Sequence, residues 1–279
     1  MCAPMKPAVL VRVLMVVMPL VIGCGTKAKK GGGLTIGQRL QRAEQEPTAE
    51  KQAVALVKVA RAQLASGDKS GARDTANRAF DRLKADGDAA VLAPRLVDVA
   101  AALGEVGDGK KAREAAALAG TRGAAIEDPV RRAQALAGAG GIAGDKTAGA
   151  DAALARDLLG KATAAADAAD DRFRAEALAA VALGYTRAGI ADAAADMVGR
   201  LEESARGVGE ARAKAEALAA AADVRARSGQ KDEAGKLVEE AAAAAKSVER
   251  AESRAYALLA VANAAVAAGD TKTALALLG

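Results

Sequence analysis

The sequence predicts an all-α chain, an α-solenoid of about six helix–turn–helix repeats with a period of ~40 residues. Three observations carry this. The leucines Leu56, Leu96, Leu136, Leu178, Leu218 and Leu258 follow one another in steps of 40, 40, 42, 40 and 40 residues. Five of them close copies of one motif: Arg-Ala-x-Ala-Leu at Arg132–Leu136, Arg174–Leu178 and Arg254–Leu258, with Lys214 or Gln52 in place of the arginine in two others. Composition agrees. Hydrophobic residues make up 52% of the chain, mostly alanine, and aromatics only 1%: Phe80, Phe173, Tyr185 and Tyr256. Sheets draw on aromatic and β-branched residues, whereas Ala, Leu, Glu, Lys and Arg form helices well.

Taken in order, residues 1–12 are short and basic, with Lys6 and Arg12, and residues 13–22 are an unbroken apolar run. Ten helical residues span about 15 Å, about half a hydrocarbon core, so the run suits a secretion signal better than a permanent span. Residues 25–33 are rich in glycine and lysine and suit a flexible tether, with Lys27, Lys29 and Lys30 placed to attract anionic headgroups. Ile36, Leu40 and Ala43 share one face of a short helix within Thr35–Glu46, and Pro47 restarts the chain. The expected division is a signal at 1–23, a tether at 24–47 and the solenoid at 48–279.

Each unit reads as helix, tight turn, helix. The expected turn glycines are Gly67, Gly107, Gly144, Gly189, Gly229 and Gly269, because glycine ends a helix in the left-handed conformation without strain. Asp68, Asp108, Asp145 and Asp270 follow four of them, where a carboxylate meets free N–H groups at the next helix start. Ala72, Ala112, Ala194, Ala234 and Ala274 stand five residues after their glycines and allow close helix crossing. Unit three departs from this. Gly138, Gly140, Gly141 and Gly144 crowd its first helix, and each internal glycine costs about 1 kcal/mol against alanine. That helix is expected to be short, frayed or kinked, and the second, within Thr147–Ala168, long. The segment reads as a hinge, a close-approach site or a drifted repeat.

Several function classes fall away. The chain has no histidine, and its only cysteines are Cys2 and Cys24. That excludes Cys/His zinc sites and His-activated nucleophiles. No metal or cofactor is expected, and no catalytic residue. Net charge is +5, but it is interspersed, without the basic stripe or stacking aromatics that nucleic acid needs. Asp170-Asp171 reads as the start of a helix over Arg172–Ala188 rather than as a catalytic pair.

Two resemblances add to this. Val21-Ile22-Gly23-Cys24 resembles the lipobox of bacterial lipoproteins. It implies acylation of Cys24 and a membrane-anchored protein facing the periplasm, with Gly25 after the cysteine favouring the outer membrane. Cys2 would leave with the signal. The series Leu178, Val181-Ala182, Tyr185, Gly189, Ala194, Val198, Leu201 resembles the tetratricopeptide repeat, although the period is longer and the aromatics are largely replaced. That resemblance implies a concave groove lined by first helices, which carries Arg61, Glu176, Leu183, Arg187, Glu216, Asp223, Tyr256 and Asn263. It also implies a protein or peptide partner. Leu275, Leu277 and Leu278 near the C-terminus offer a surface for a partner or a second copy. The function expected is a membrane-anchored interaction scaffold in the cell envelope. The alternatives are a self-associating structural protein, an envelope enzyme or a glycan-binding protein.

Overall fold

The computed structural model describes residues 34–85 and 87–278. The signal segment, Cys24 and the tether up to residue 33 lie outside the described residues. Among those described, all regular structure is helical. A short helix α1 (Ile36–Glu44) precedes α2 (Ala49–Ala65) and α3 (Lys69–Arg82), then α4 (Ala89–Glu105) and α5 (Gly109–Ala124). Next come α6 (Pro129–Gly144) and α7 (Ala152–Asp167), then α8 (Asp171–Ala188) and α9 (Ala191–Gly207). The last pairs are α10 (Ala211–Arg227) with α11 (Lys231–Lys246) and α12 (Ala251–Ala268) with α13 (Thr271–Leu278).

Local chemistry sets the helix ends. Thr35 forms a capping box: its hydroxyl accepts from the Gln38 N–H at 3.2 Å, and its own N–H donates to Gln38 Oε1 at 2.9 Å. Gly67, Gly107, Gly189, Gly229 and Gly269 all have φ between 71° and 89°, the left-handed turn expected of them. Asp68 accepts from the Gly71 N–H at 2.9 Å and Asp270 from the Thr273 N–H at 2.9 Å. Asp170 takes the N-cap position of α8 without a side-chain bond, and Asp171 pairs with Arg174 at 2.6 Å.

The helices pack in series. Each even-numbered helix from α2 to α12 contacts its own successor in the chain and the next even-numbered helix. Odd-numbered helices contact the helices on either side of them in sequence and scarcely meet one another. The even-numbered helices are therefore a crowded inner row, and the others are splayed outside it. Between the rows, Leu56, Leu96, Leu136, Leu178 and Leu218 are at most 1% exposed. Ala72, Ala112 and Ala234 are fully buried, as the second-helix crossing requires.

The glycine-rich segment corrects one expectation. α6 is neither short nor broken; it runs 16 residues, from Pro129 to Gly144. Its glycines are contact points, as the close-approach reading expects. A Cβ built on Gly141 would lie 3.2 Å from the Gly184 Cα of α8, and one on Gly144 would lie 2.8 Å from the Ala188 Cα. Gly140 faces Leu159 of α7, and Gly138 faces Val97 of α4. Low helix propensity, about 1 kcal/mol per glycine, is offset by backbone contact that no larger residue permits. Nor is Gly144 the turn glycine. Asp145 instead caps a 3₁₀ turn, Lys146–Ala148, and the left-handed residue is Gly149, at φ 74°. The turn takes up the residues expected to lengthen the second helix, so α7 has 16 residues, the same as α5 and α11.

Candidate functional site: the inner row and its cleft

The repeated motif has a structural task that its sequence did not disclose. In four of its five copies the first residue reaches back to the carbonyl two residues past the end of the preceding outer helix, or of α1. Arg132 Nε donates to Ile126 O at 2.6 Å and Arg174 Nη2 to Ala169 O at 3.1 Å. Arg254 Nη1 donates to Val248 O at 3.2 Å, and Gln52 Nε2 to Glu46 O at 2.8 Å. A donor, usually cationic, thus satisfies carbonyls at the negative end of a helix and fixes how one helix pair hands over to the next. Recurrence of the motif signalled a common task. The acceptor is a backbone atom, which carries no residue-type signature.

The eight residues expected in the groove all lie on inner-row helices, and most are engaged with neighbours. Arg61 on α2 makes a two-point pair with Glu105 on α4, at 2.9 and 3.0 Å. That hydrogen bond is the main cause of its raised pKa. Glu176 on α8 accepts from Gln134 Nε2 of α6 at 2.7 Å. Arg187, at the far end of α8, pairs with Asp145 at 3.0 Å. Burial pushes the Asp145 carboxyl up, but bonds from Thr147 and Arg187 outweigh it and hold it below the usual carboxylate range. Glu216 pairs with Arg212 at 2.8 Å and Asp223 with Arg227 at 2.7 Å. Tyr256 on α12 is 39% exposed, and the Arg212 guanidinium sits 5.6 Å from its ring centre. Leu183 is half-buried against the core, and Asn263 is exposed.

The structure does not gather these eight into one site. Glu176 and Glu216 share an open cleft of about 590 Å³ between the N-terminal halves of α8 and α10. Leu183, Arg187 and Asp223 lie further along the same helices, and Arg61 belongs to another pair. Two alanine stripes form the cleft's floor, Ala175 and Ala179 on α8 facing Ala213, Ala217 and Ala220 on α10. Phe173 stands at its rim, 43% exposed, and Arg250 and Ser253 close it from the start of α12. Sequence reading missed Phe173, Arg212, Arg250 and Ser253. The rarity of aromatics was a usable signal for Phe173; the others gave none. A second cleft, of about 930 Å³, opens on the other side of the Gly207–Glu210 loop, among α8, α9 and α10.

A scan of protein-family models and a search of curated proteins return no match to this chain. Among the described residues no cluster of three His, Cys, Asp or Glu side chains is placed to hold a metal ion. No described helix is long and apolar enough to cross a membrane.

Proposed function

We propose that this protein is a membrane-anchored interaction scaffold of the bacterial cell envelope, lipidated at Cys24, with six TPR-like units of ~40 residues whose inner row binds another protein. One observation supports it above the rest: the inner row is continuous from α2 to α12, and at the α8–α10 joint it opens into an exposed, alanine-floored cleft. Series packing of helix pairs leaves an extended row of side chains for a partner. The basic start, apolar run and lipobox-like Cys24 support anchoring, since several acyl chains hold a protein at a membrane where one does not.

The test is to express the full chain in a bacterial host beside Cys24→Ser, fractionate membranes and crosslink. Lipid labelling and membrane retention that disappear in Cys24→Ser, with one envelope protein crosslinked to the inner row, are the expected result. Unchanged fractionation of Cys24→Ser would reject the anchor. Absence of any crosslinked partner would reject the scaffold.

Self-association has one observation in its favour. The position nine residues after the left-handed glycine is buried in α3, α5, α9 and α11, at Ala76, Ala116, Val198 and Val238. In α13 it is Leu278, 58% exposed, with Leu275 at 73%. Concentration-dependent sedimentation that Leu278→Glu abolishes would favour this reading.

A further inference from the structure

We propose that the Gly207–Glu210 link is a hinge, left free by a missing hand-over bond, about which helices α10–α13 turn as a body against α6–α9. The hinge is independent of the scaffold reading, because it needs neither a partner nor a membrane.

Each link that enters an inner helix, from α2 to α12, is pinned by a side chain, save one. Gln52 donates to Glu46 O, Arg132 to Ile126 O, Arg174 to Ala169 O and Arg254 to Val248 O. The α3–α4 link lacks the motif and is held instead by Arg122, which donates to Ala85 O at 2.7 Å. In the α9–α10 link no side chain donates to a carbonyl among the described residues. The motif's first residue there is Lys214, whose ammonium makes no bond among the described residues. A lysine ends in a point charge on a flexible stem, whereas arginine offers a planar fork of donors. The link is loosely seated as well. Val208 stands six residues before Lys214, as Ile126 and Val248 do before Arg132 and Arg254. Those two are 4% and 7% exposed, whereas Val208 is only half-buried.

Room to move surrounds the link. Val208 lines three clefts at once, of about 930, 590 and 780 Å³. Gly207 and Gly209 flank it, neither in the left-handed region, and a Cβ on either would meet nothing within 4 Å. They serve neither as a turn, like Gly189, nor as a contact, like Gly184, and they leave no side chain to wedge the link. On either side the helices are tied more firmly. α6 and α8 meet backbone to backbone at Gly141 and Gly184. α12 is tied to α10 by the Arg212 guanidinium at the Tyr256 ring, and to the α11–α12 link by Arg254. Across the hinge the ties are polar: Arg225 of α10 donates to Glu202 of α9, and Arg206 of α9 to Glu240 of α11. Water replaces such bonds at small net cost, whereas a close-packed seam opens only by losing its packing. Rotation about a few backbone angles at the link thus turns one body on the other, and the α8–α10 cleft widens or narrows with it.

The experiment measures spin-label distance distributions by double electron–electron resonance. It uses the full chain with Cys2→Ser and Cys24→Ser, which leaves no other cysteine. Labels go on cysteines introduced at exposed positions: Asp196 with Lys236, across the hinge, and Arg156 with Asp196, across the sealed α6–α8 joint. Each variant is checked for unchanged helical circular dichroism. The Asp196–Lys236 distribution is expected to be at least about twofold wider than the Arg156–Asp196 one. Lys214→Arg, which supplies the guanidinium that pins three other links, is expected to narrow it towards the control. Lys272→Arg, the same change on α13, is expected to leave it as it was. Equal widths for the two label pairs overturn the proposal. So does a wide Asp196–Lys236 distribution that Lys214→Arg leaves unchanged, or that Lys272→Arg narrows equally. A failed crosslink to an envelope protein leaves these distances untouched, so the hinge and the scaffold fail separately.

Discussion

The α6–α8 joint and the α8–α10 joint occupy successive places in the same row and are built in opposite ways. At the first, Gly141 faces Gly184 and Gly144 faces Ala188, so two backbones touch. At the matching register of the second stand Leu183 and Val224 in place of glycines. The first joint has closed. The second borders clefts of about 590 and 930 Å³, and both are flanked by the Gly207–Glu210 loop. The same series packing thus yields a close seam at one joint and an open groove at the next. The candidate site lies at the open joint, where Ala213, Ala217 and Ala220 line the cleft with their methyls partly uncovered.

The largest expected effect comes from forcing the closed joint open. A Cβ on Gly184 would lie 2.7 Å from both Ala137 O and Leu159 Cδ2, so Gly184→Leu should cost about 2–3 kcal/mol through overpacking, read as a fall in thermal midpoint by circular dichroism. Gly199, in mid-α9, meets nothing within 4 Å. Gly199→Ala should stabilise by about 0.5–1 kcal/mol from propensity alone. If both substitutions destabilise equally, the contrast between contact glycines and idle ones is wrong.

A smaller effect probes the open joint, which polar bonds hold on its outer side. Glu202 on α9 accepts from Arg225 of α10 at 2.7 Å, with side-chain exposures of 15% and 18%, and Arg206 links it onward to Glu240 of α11. Glu202→Gln should cost about 1–2 kcal/mol, measured by urea denaturation, and should raise hydrogen exchange in α9 and α10 before α6. Removing the exposed Lys161–Asp157 pair, 56% and 55% exposed, should cost almost nothing. Equal losses at the two pairs would mean that Glu202 does not bridge the joint.

The smallest effect concerns Asp145, which ties the closed joint to Arg187. Its carboxyl is depressed in the folded chain, so its contribution is present above the unfolded value near 4 and is lost as pH falls through the lower folded one. Asp145→Asn should therefore be less stable than wild type at pH 7, by less than about 1 kcal/mol because Arg187 is 43% exposed. The difference should shrink as pH falls below the unfolded value near 4 and vanish at the acid end of a denaturation series. A difference that persists there would assign the loss to packing rather than to charge.

Much of the architecture could be read in the chain. The helical spacing of Leu178, Val181 and Ala182 foretold a buried stripe, and all three are at most 2% exposed. Gly67, Gly107, Gly189, Gly229 and Gly269 turned the chain where expected, since left-handed backbone is a local property of glycine. Gly144 did not, because nothing local distinguishes a glycine that ends a helix from one that admits a neighbour some 40 residues away. The site was less legible. Glu176 and Glu216 were placed at the cleft by register, but Arg250 and Ser253 come from the first turn of α12 and reach it only because α12 packs on α10.

By itself, then, the sequence determined that the chain is helical, where it turns and which stripe of each helix is buried. These follow from capping, backbone freedom and a 3.6-residue apolar period, all of which act within a few residues. Tertiary structure decided which joints close and which open, which glycines are contacts, and which polar side chains satisfy one another. Those outcomes depend on volumes and partners from the next helix pair. There Gly141 meets Gly184 at van der Waals range, Arg132 finds a backbone carbonyl, and Arg250 lines the α8–α10 cleft.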